Sequence, residues 1–144
     1  MRTLGVDYGL KRVGLAVTDP NGSMAFPLET IQREGRDELF ARLVSLVERE
    51  CVERVVVGWP APAEGRDSLT ARQTVNFARS LARRVAVPVL LMDETLSSES
   101  AMDDLRQAGV KPSKRKAVLD QRAAVLILES FLAAPECARS AQEV

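Results

Sequence analysis

The 144-residue sequence contains no histidine. That removes the commonest general base and the commonest transition-metal ligand, and with them the serine and cysteine triads that rely on imidazole. Chemistry on this chain therefore falls to carboxylates, and carboxylate sites without imidazole favour hard ions such as Mg²⁺ or Mn²⁺. Cysteine is scarce too. Cys51 and Cys137 are the only two, far apart and without metal-ligand spacing, which reads as free thiols in a reducing compartment. No apolar run approaches the roughly 20 residues of a membrane span. Met1-Arg2-Thr3 leads straight into a strand pattern, without the apolar stretch or cleavage site of a signal peptide. The expectation is a cytoplasmic protein with no membrane partner. Net charge is absent as well: 20 basic residues balance 20 acidic ones, so overall charge argues neither for nor against nucleic acid.

What is present suits one domain with a real core, since the chain is 46% hydrophobic and 28% charged. The domain is expected over residues 1–135, with the polar stretch 136–144 a flexible tail. The segments 2–7 and 13–18 read as two strands joined by a glycine-containing turn, Asp7-Tyr8-Gly9-Leu10-Lys11-Arg12, a hairpin with a longer loop. Asp19-Pro20-Asn21-Gly22 marks the next reversal. Ala25 to Gln32 follows as a third strand, at a sheet edge because Pro27 cannot donate to a central ladder. Leu39, Phe40, Leu43, Val44 and Val47 recur at helical spacing and predict an amphipathic helix from Asp37 to about Glu50. Val55 to Gly58 suits a buried parallel strand. Residues 61–68 read as a loop, Ser68 to Arg84 as a helix and Val85 to Met92 as a strand. A short helix capped by Ser97 or Ser98 is expected to reach Gln107 and stop at Gly109. Pro112 precludes a continuous helix between Gly109 and Lys116, and the final helix is expected from about Lys114 to Ala134.

An antiparallel hairpin followed by two helix crossovers makes a mixed α/β layer structure. If the strands ending at Asp7, Gly58 and Met92 are parallel, their carboxyl ends share one edge, where open α/β sheets bind ligands. Asp7, the turn Gly58-Trp59-Pro60, and Asp93-Glu94 collect there. Asp19 ends a strand running the other way and is set aside.

Asp120 is the most diagnostic acid. Ala123, Ala124, Ile127, Leu128 and Phe131 follow it at offsets of three, four, seven, eight and eleven, which places it on the buried stripe of its helix. An acid there must cap something, pair with a cation or bind a metal. Asp7 taken alone is a weaker signal, because aspartates at strand ends often only shape turns, and both a turn role and a site role stay open for it. Side chains of adjacent residues point opposite ways, so at most one of Asp93 and Glu94 faces a site. Three acids from separated segments could hold two divalent ions about 3.5–4 Å apart, one activating water and the other stabilising a leaving oxygen of a phosphodiester.

The motifs LGVDYGLKRVGLAVTD at the start, VVVGWP at Val55 to Pro60, DETLSS at Asp93 to Ser98 and DQRAAVLIL at Asp120 to Leu128 together resemble the YqgF/RuvX family of the RNase H-like nuclease superfamily. The resemblance covers nearly the whole chain. It implies a five-stranded mixed sheet, an antiparallel hairpin plus parallel strands, flanked by helices. It also implies metal-dependent phosphodiester cleavage by Asp7, Glu94 and Asp120, which would ligate two Mg²⁺ or Mn²⁺ ions, and a role in maturing the 5′ end of pre-16S ribosomal RNA, with ribosomal precursor particles as partners. Relatives in the superfamily resolve Holliday junctions, so branched DNA is the alternative substrate. Thr95 departs from the family, which usually carries arginine after the Asp-Glu pair. A threonine hydroxyl can hydrogen-bond phosphate but brings no charge.

Further substrate contacts are assigned to Lys11 and Arg12, which either touch phosphate or pair with nearby acids, to Gly58 and Pro60, and to Lys114, Arg115 and Lys116 in the most basic stretch of the chain. Trp59 either stacks on a base or packs beside Pro60. Both a monomer and a homodimer fit the sequence, the latter suiting a symmetric junction. The competing readings are a non-catalytic nucleic-acid-binding or ribosome-associated module, which Thr95 and the lack of net basicity favour, and an actin-like ATPase, which needs two domains and is excluded by length.

Overall fold

Alternating side chains along the first strand divide the molecule into two layers. The computed structural model describes residues 1–60, 69–93 and 112–143. In it, Leu4 and Val6 of β1 (Thr3–Tyr8) are fully buried on one face, and Gly5 and Asp7 belong to the other. The chain continues through β2 (Arg12–Thr18), β3 (Ala25–Gln32), α1 (Arg36–Arg49), β4 (Arg54–Trp59), α2 (Leu69–Ala82), β5 (Val89–Asp93) and α3 (Pro112–Ala133). A 3-10 turn at Pro135–Cys137 leads into the two-residue β6 (Arg139–Ser140).

The sheet has the order β3-β2-β1-β4-β5-β6. β1 is antiparallel to β2 and parallel to β4, which is in turn parallel to β5. The carboxyl ends of β1, β4 and β5 therefore share one edge, as the sequence predicts. β3 is an edge strand, and Pro27 lies beside a register shift at Leu15/Ala16 that relieves the missing donor.

Register assigns each face. Leu4, Val6, Leu15, Val55, Val57, Trp59 and Leu91 pack with Leu39, Phe40 and Leu43 of α1 and Val75, Phe77 and Leu81 of α2. On the opposite face Ala16, Val56 and Met92 pack with Ala124, Ile127, Leu128 and Phe131 of α3. Each fully buried large side chain of that stripe contributes about 1.5–3 kcal/mol, which fixes α3 across the sheet.

Four sequence expectations shift. The sheet has six strands rather than five. The stretch after Pro135 is tied down, not frayed: Arg139 and Ser140 pair antiparallel with Leu91 and Leu90, and Ala141 is fully buried and donates its N–H to the Val89 carbonyl at 3.0 Å. Pro112 is the first residue of α3, a position where the missing N–H costs nothing and the fixed φ suits the helix. β5 begins at Val89, not Val85, because the N–H groups of Arg84 and Val85 are taken by the Leu81 carbonyl in closing the end of α2. The loop expected at 61–68 and the helix expected from Ser97 or Ser98 to Gln107 lie outside the described residues.

Candidate active site

A glycine in the middle of β2 seats the backbone of Asp120 on the strand that pairs with Asp7. Asp7 and Gly14 are direct cross-strand partners, so their side-chain directions share a face. A Cβ built on Gly14 would lie 2.0 Å from the Asp120 carbonyl oxygen and 2.9 Å from its Cα. The backbone of α3 thus rests on β2 at Gly14, with Asp120 directly above the strand position beside Asp7. Gly5, on the same face, gives the helix a second close approach: its Cβ would lie 2.6 Å from Leu128 Cγ and 2.9 Å from the Ala124 carbonyl. Glycine inside a strand is a sequence signal of such a close approach, and both Gly5 and Gly14 carry it.

Asp120 is half-buried, and its Oδ2 accepts a hydrogen bond from Arg12 Nε at 2.6 Å, the side chains being 17% and 26% exposed. Of the three roles open to Asp120 in the sequence, pairing with a cation is realised. The α3 backbone is held to β3 as well, since Gln121 Nε2 donates to Thr30 Oγ1 at 3.2 Å. The turn that carries Arg12 is braced from β3: Arg33 donates its backbone N–H to the Lys11 carbonyl at 2.9 Å, and its Nη1 donates to the Gly9 and Leu10 carbonyls at 2.8 and 3.1 Å.

Gly58 lies beside Asp7 on the parallel strand β4, with Met92 of β5 beyond it. Having no side chain, Gly58 leaves the surface next to Asp7 low. Pro60 follows directly and is half-buried. Lys11 is exposed at the turn. Lys114, Arg115 and Lys116 lie in the first turns of α3, and their side chains are outside the described residues, as are Glu94 and Thr95 altogether. Asp93 pairs with Trp59, whose buried side chain belongs to the α1/α2 face, so Asp93 is directed away from Asp7. Trp59, 7% exposed within that core, is packed and not available to stack on a base.

Asp19 lies at the far edge and serves the β2–β3 turn. Its carboxylate accepts from the Ser23 and Met24 backbone N–H groups at 2.7 and 3.0 Å and from the Ser23 hydroxyl at 2.7 Å. These bonds, the Met24 N–H foremost, lower its pKa to about 2.

The site's donor set is all oxygen: two carboxylates from facing elements, with no imidazole in the chain and both thiols, Cys51 and Cys137, exposed and free. Among the described residues no three acidic or thiol groups are gathered tightly enough to cage an ion. Asp7 and Asp120 supply two acids, and a carboxylate has about four lone-pair positions, so the bond to Arg12 does not exhaust Asp120. This set fits a hard divalent cation. No described helix is long and apolar enough to cross a membrane.

Comparison with known proteins agrees with this geometry. A family model described as "RuvX: Holliday junction resolvase" matches residues 1–134. A protein of Nitratidesulfovibrio vulgaris named "Putative pre-16S rRNA nuclease" is 52% identical over 140 residues, covering 97% of this chain and 99% of that one. A protein of the same name from Mycobacterium ulcerans is 46% identical over 91% of this chain and 78% of its own length. Among solved structures, Thermus thermophilus RuvC superposes with a TM-score of 0.57 at 18% identity, covering 97% of this chain and 99% of that one. The fowlpox virus Holliday junction resolvase gives 0.57 at 16%, over 93% and 99%. These two show the fold, an RNase H-like one. The family match and the identity over nearly the full length show that the chain belongs to the RuvX family.

Proposed function

We propose that the protein is a nuclease that hydrolyses phosphodiester bonds in nucleic acid with Mg²⁺ or Mn²⁺, two ions at full occupancy, and that it acts in maturation of the 5′ end of pre-16S ribosomal RNA in the cytoplasm. The observation that carries this reading is the seating of the Asp120 backbone over Gly14, the cross-strand partner of Asp7, at the sheet edge where β1, β4 and β5 end. The names of the relatives support the substrate. Residues 1–135 are taken as one nuclease domain.

Asp7 and Asp120 would hold the metal. Asp93 is directed to the other face, and Glu94 is taken as the third ligand on the strength of the motif's resemblance to the family. When bound, the metal supplies an activated water and a counter-charge for the leaving oxygen. The remaining work falls to the chain. Arg12 orients the Asp120 carboxylate, and its other guanidinium donors serve a phosphate oxygen. Lys11, at the exposed tip of the turn, adds a cation for the backbone of the strand. Gly58 and Pro60 make a low, rigid floor beside Asp7. Thr95, Lys114, Arg115 and Lys116 complete the substrate contacts. Ribosomal precursor particles follow as partners. The family's description supports branched DNA as the second substrate class.

The test is cleavage of a stem-loop RNA carrying the precursor flank, and of a four-way DNA junction, with and without Mg²⁺. RNA cleavage should require the metal and fall by at least about 100-fold in Asp7→Asn and in Asp120→Asn. Undiminished cleavage in chelator, or in either variant, overturns the assignment.

A further inference from the structure

On the face of the sheet away from Asp7 and Asp120, a cavity of ≈ 390 Å³ opens behind the β1–β2 turn, within the range of small-ligand sites. Its floor is a column of three aromatic rings. Tyr8 stacks on Phe77 with centroids 4.1 Å apart and planes 12° from parallel, and Phe77 stacks on Phe40 at 5.6 Å and 17°. Two guanidiniums of the cavity lining lie over these rings, Arg33 over Tyr8 at 4.5 Å and Arg36 over Phe40 at 5.3 Å, and Arg84, which does not line the cavity, lies over Phe40 at 4.2 Å. Gln73 and Asn76, both exposed on α2, face them across the opening, and Leu10, 77% exposed, forms the rim.

Among the described residues no acid lines this cavity and neither arginine forms an ion pair. Two guanidiniums in the lining of one cavity, with no described acid beside them, suit an anionic ligand. Stacking on the rings and single bonds, from Arg36 Nη2 to Ser80 Oγ at 3.0 Å and from Arg33 Nη1 to the turn carbonyls, fix both side chains while leaving other N–H donors of each fork for a ligand. The amides opposite offer paired donors and acceptors, and Leu10 offers an apolar edge, which together match a nucleobase and its sugar. Tyr8 and Asp7 are consecutive residues on opposite faces of β1, so a strand that crosses the turn passes directly from the acids to this cavity.

We propose that the cavity binds one phosphorylated nucleotide of a single-stranded segment flanking the cleaved bond, its phosphate on Arg36 and its base edge on Gln73 and Asn76, with Arg33 taking the next phosphate of the strand toward the acids. The inference rests on the nucleic-acid reading above and extends it to a second contact, which would measure the length of the flank.

The experiment is fluorescence anisotropy of a labelled stem-loop RNA with long or trimmed single-stranded flanks. It is done in chelator with the full chain, for wild type, Arg36→Gln and Asn76→Ala, the fold of each variant being checked by circular dichroism. Long-flank RNA should bind wild type about tenfold tighter than trimmed RNA, a difference that both variants reduce. Arg36→Gln should also lower the slope of log affinity against log salt by about 0.7, one single-stranded phosphate. Equal affinity for both RNAs in wild type, or variants that bind like wild type, overturns the cavity's role even if the RNA is cleaved when Mg²⁺ is added. Flank-dependent binding without any metal-dependent cleavage would instead uphold the cavity and remove the nuclease reading. Adenosine monophosphate that displaces long-flank RNA at a concentration near the RNA's own Kd would assign the cavity to a free nucleotide and overturn the strand contact.

Discussion

Arg12 and Asp120, 108 residues apart in sequence, meet through a 2.6 Å bond that ties the β1–β2 turn to the first half of α3. The bond closes one side of the acid site, and Gly14 beneath it sets the distance between helix and sheet. Each of these features carries a measurable consequence.

Gly14→Ala should be damaging out of proportion to one methyl group. The new Cβ meets the backbone of Asp120, which no side-chain rotation can relieve, so α3 must lift. Overpacking of this kind costs about 1–3 kcal/mol, and a displacement near 1 Å at the acids lowers cleavage by about 100-fold. Urea denaturation and single-turnover cleavage read the two effects. Gly5→Ala is the control. Its nearest neighbour is the Leu128 side chain, which can rotate, so activity should fall less.

Arg12→Gln leaves the half-buried Asp120 carboxylate without its cation. Stability should drop by about 1–2 kcal/mol in chelator, the value of a charge-assisted bond that is partly exposed. Millimolar Mg²⁺ should recover part of that loss, because an ion that binds only the folded state stabilises it. An identical loss with and without Mg²⁺ would show that Asp120 does not bind the metal.

Asp19 predicts part of the acid limb of the stability curve. Its folded pKa of about 2 lies below the ordinary 3.8. A depressed carboxylate contributes stability that is fully present above the unfolded value and is lost as pH falls through the folded one. The contribution should therefore fade between about pH 4 and pH 2. Asp19→Asn should flatten that interval in a denaturation series while leaving cleavage at neutral pH unchanged.

Removing residues 139–144 should destabilise the domain by about 1–3 kcal/mol. It deletes the β5–β6 pairing, the Ala141 to Val89 bond and the bond from Arg79 Nε to the Ala141 carbonyl at 3.1 Å. It also bares the β5 edge, so the shortened chain should self-associate more readily. Thermal melting with light scattering checks both.

Much of this was legible in sequence because it is local. Strand alternation put Asp7 opposite Leu4 and Val6, helical spacing put Asp120 on the stripe of Ala124, Leu128 and Phe131, and the absence of histidine narrowed the chemistry to oxygen ligands. Each reading needs only the period of one element, which backbone geometry fixes. What only the tertiary structure decided depends on where separate elements meet. The choice between phosphate and acid for Arg12 was open until α3 was laid over β2, and the structure shows it paired with Asp120. The polar stretch after Pro135 carries no strong periodicity, and its pairing exists because β5 presents an open edge for it. Tyr8, Phe40 and Phe77 come from β1, α1 and α2, and they stack, with arginines over Tyr8 and Phe40, only once those elements share one face of the sheet. Contacts between distant residues leave no period in the chain, so the second, arginine-lined face of the turn that carries Asp7 was decided by packing alone.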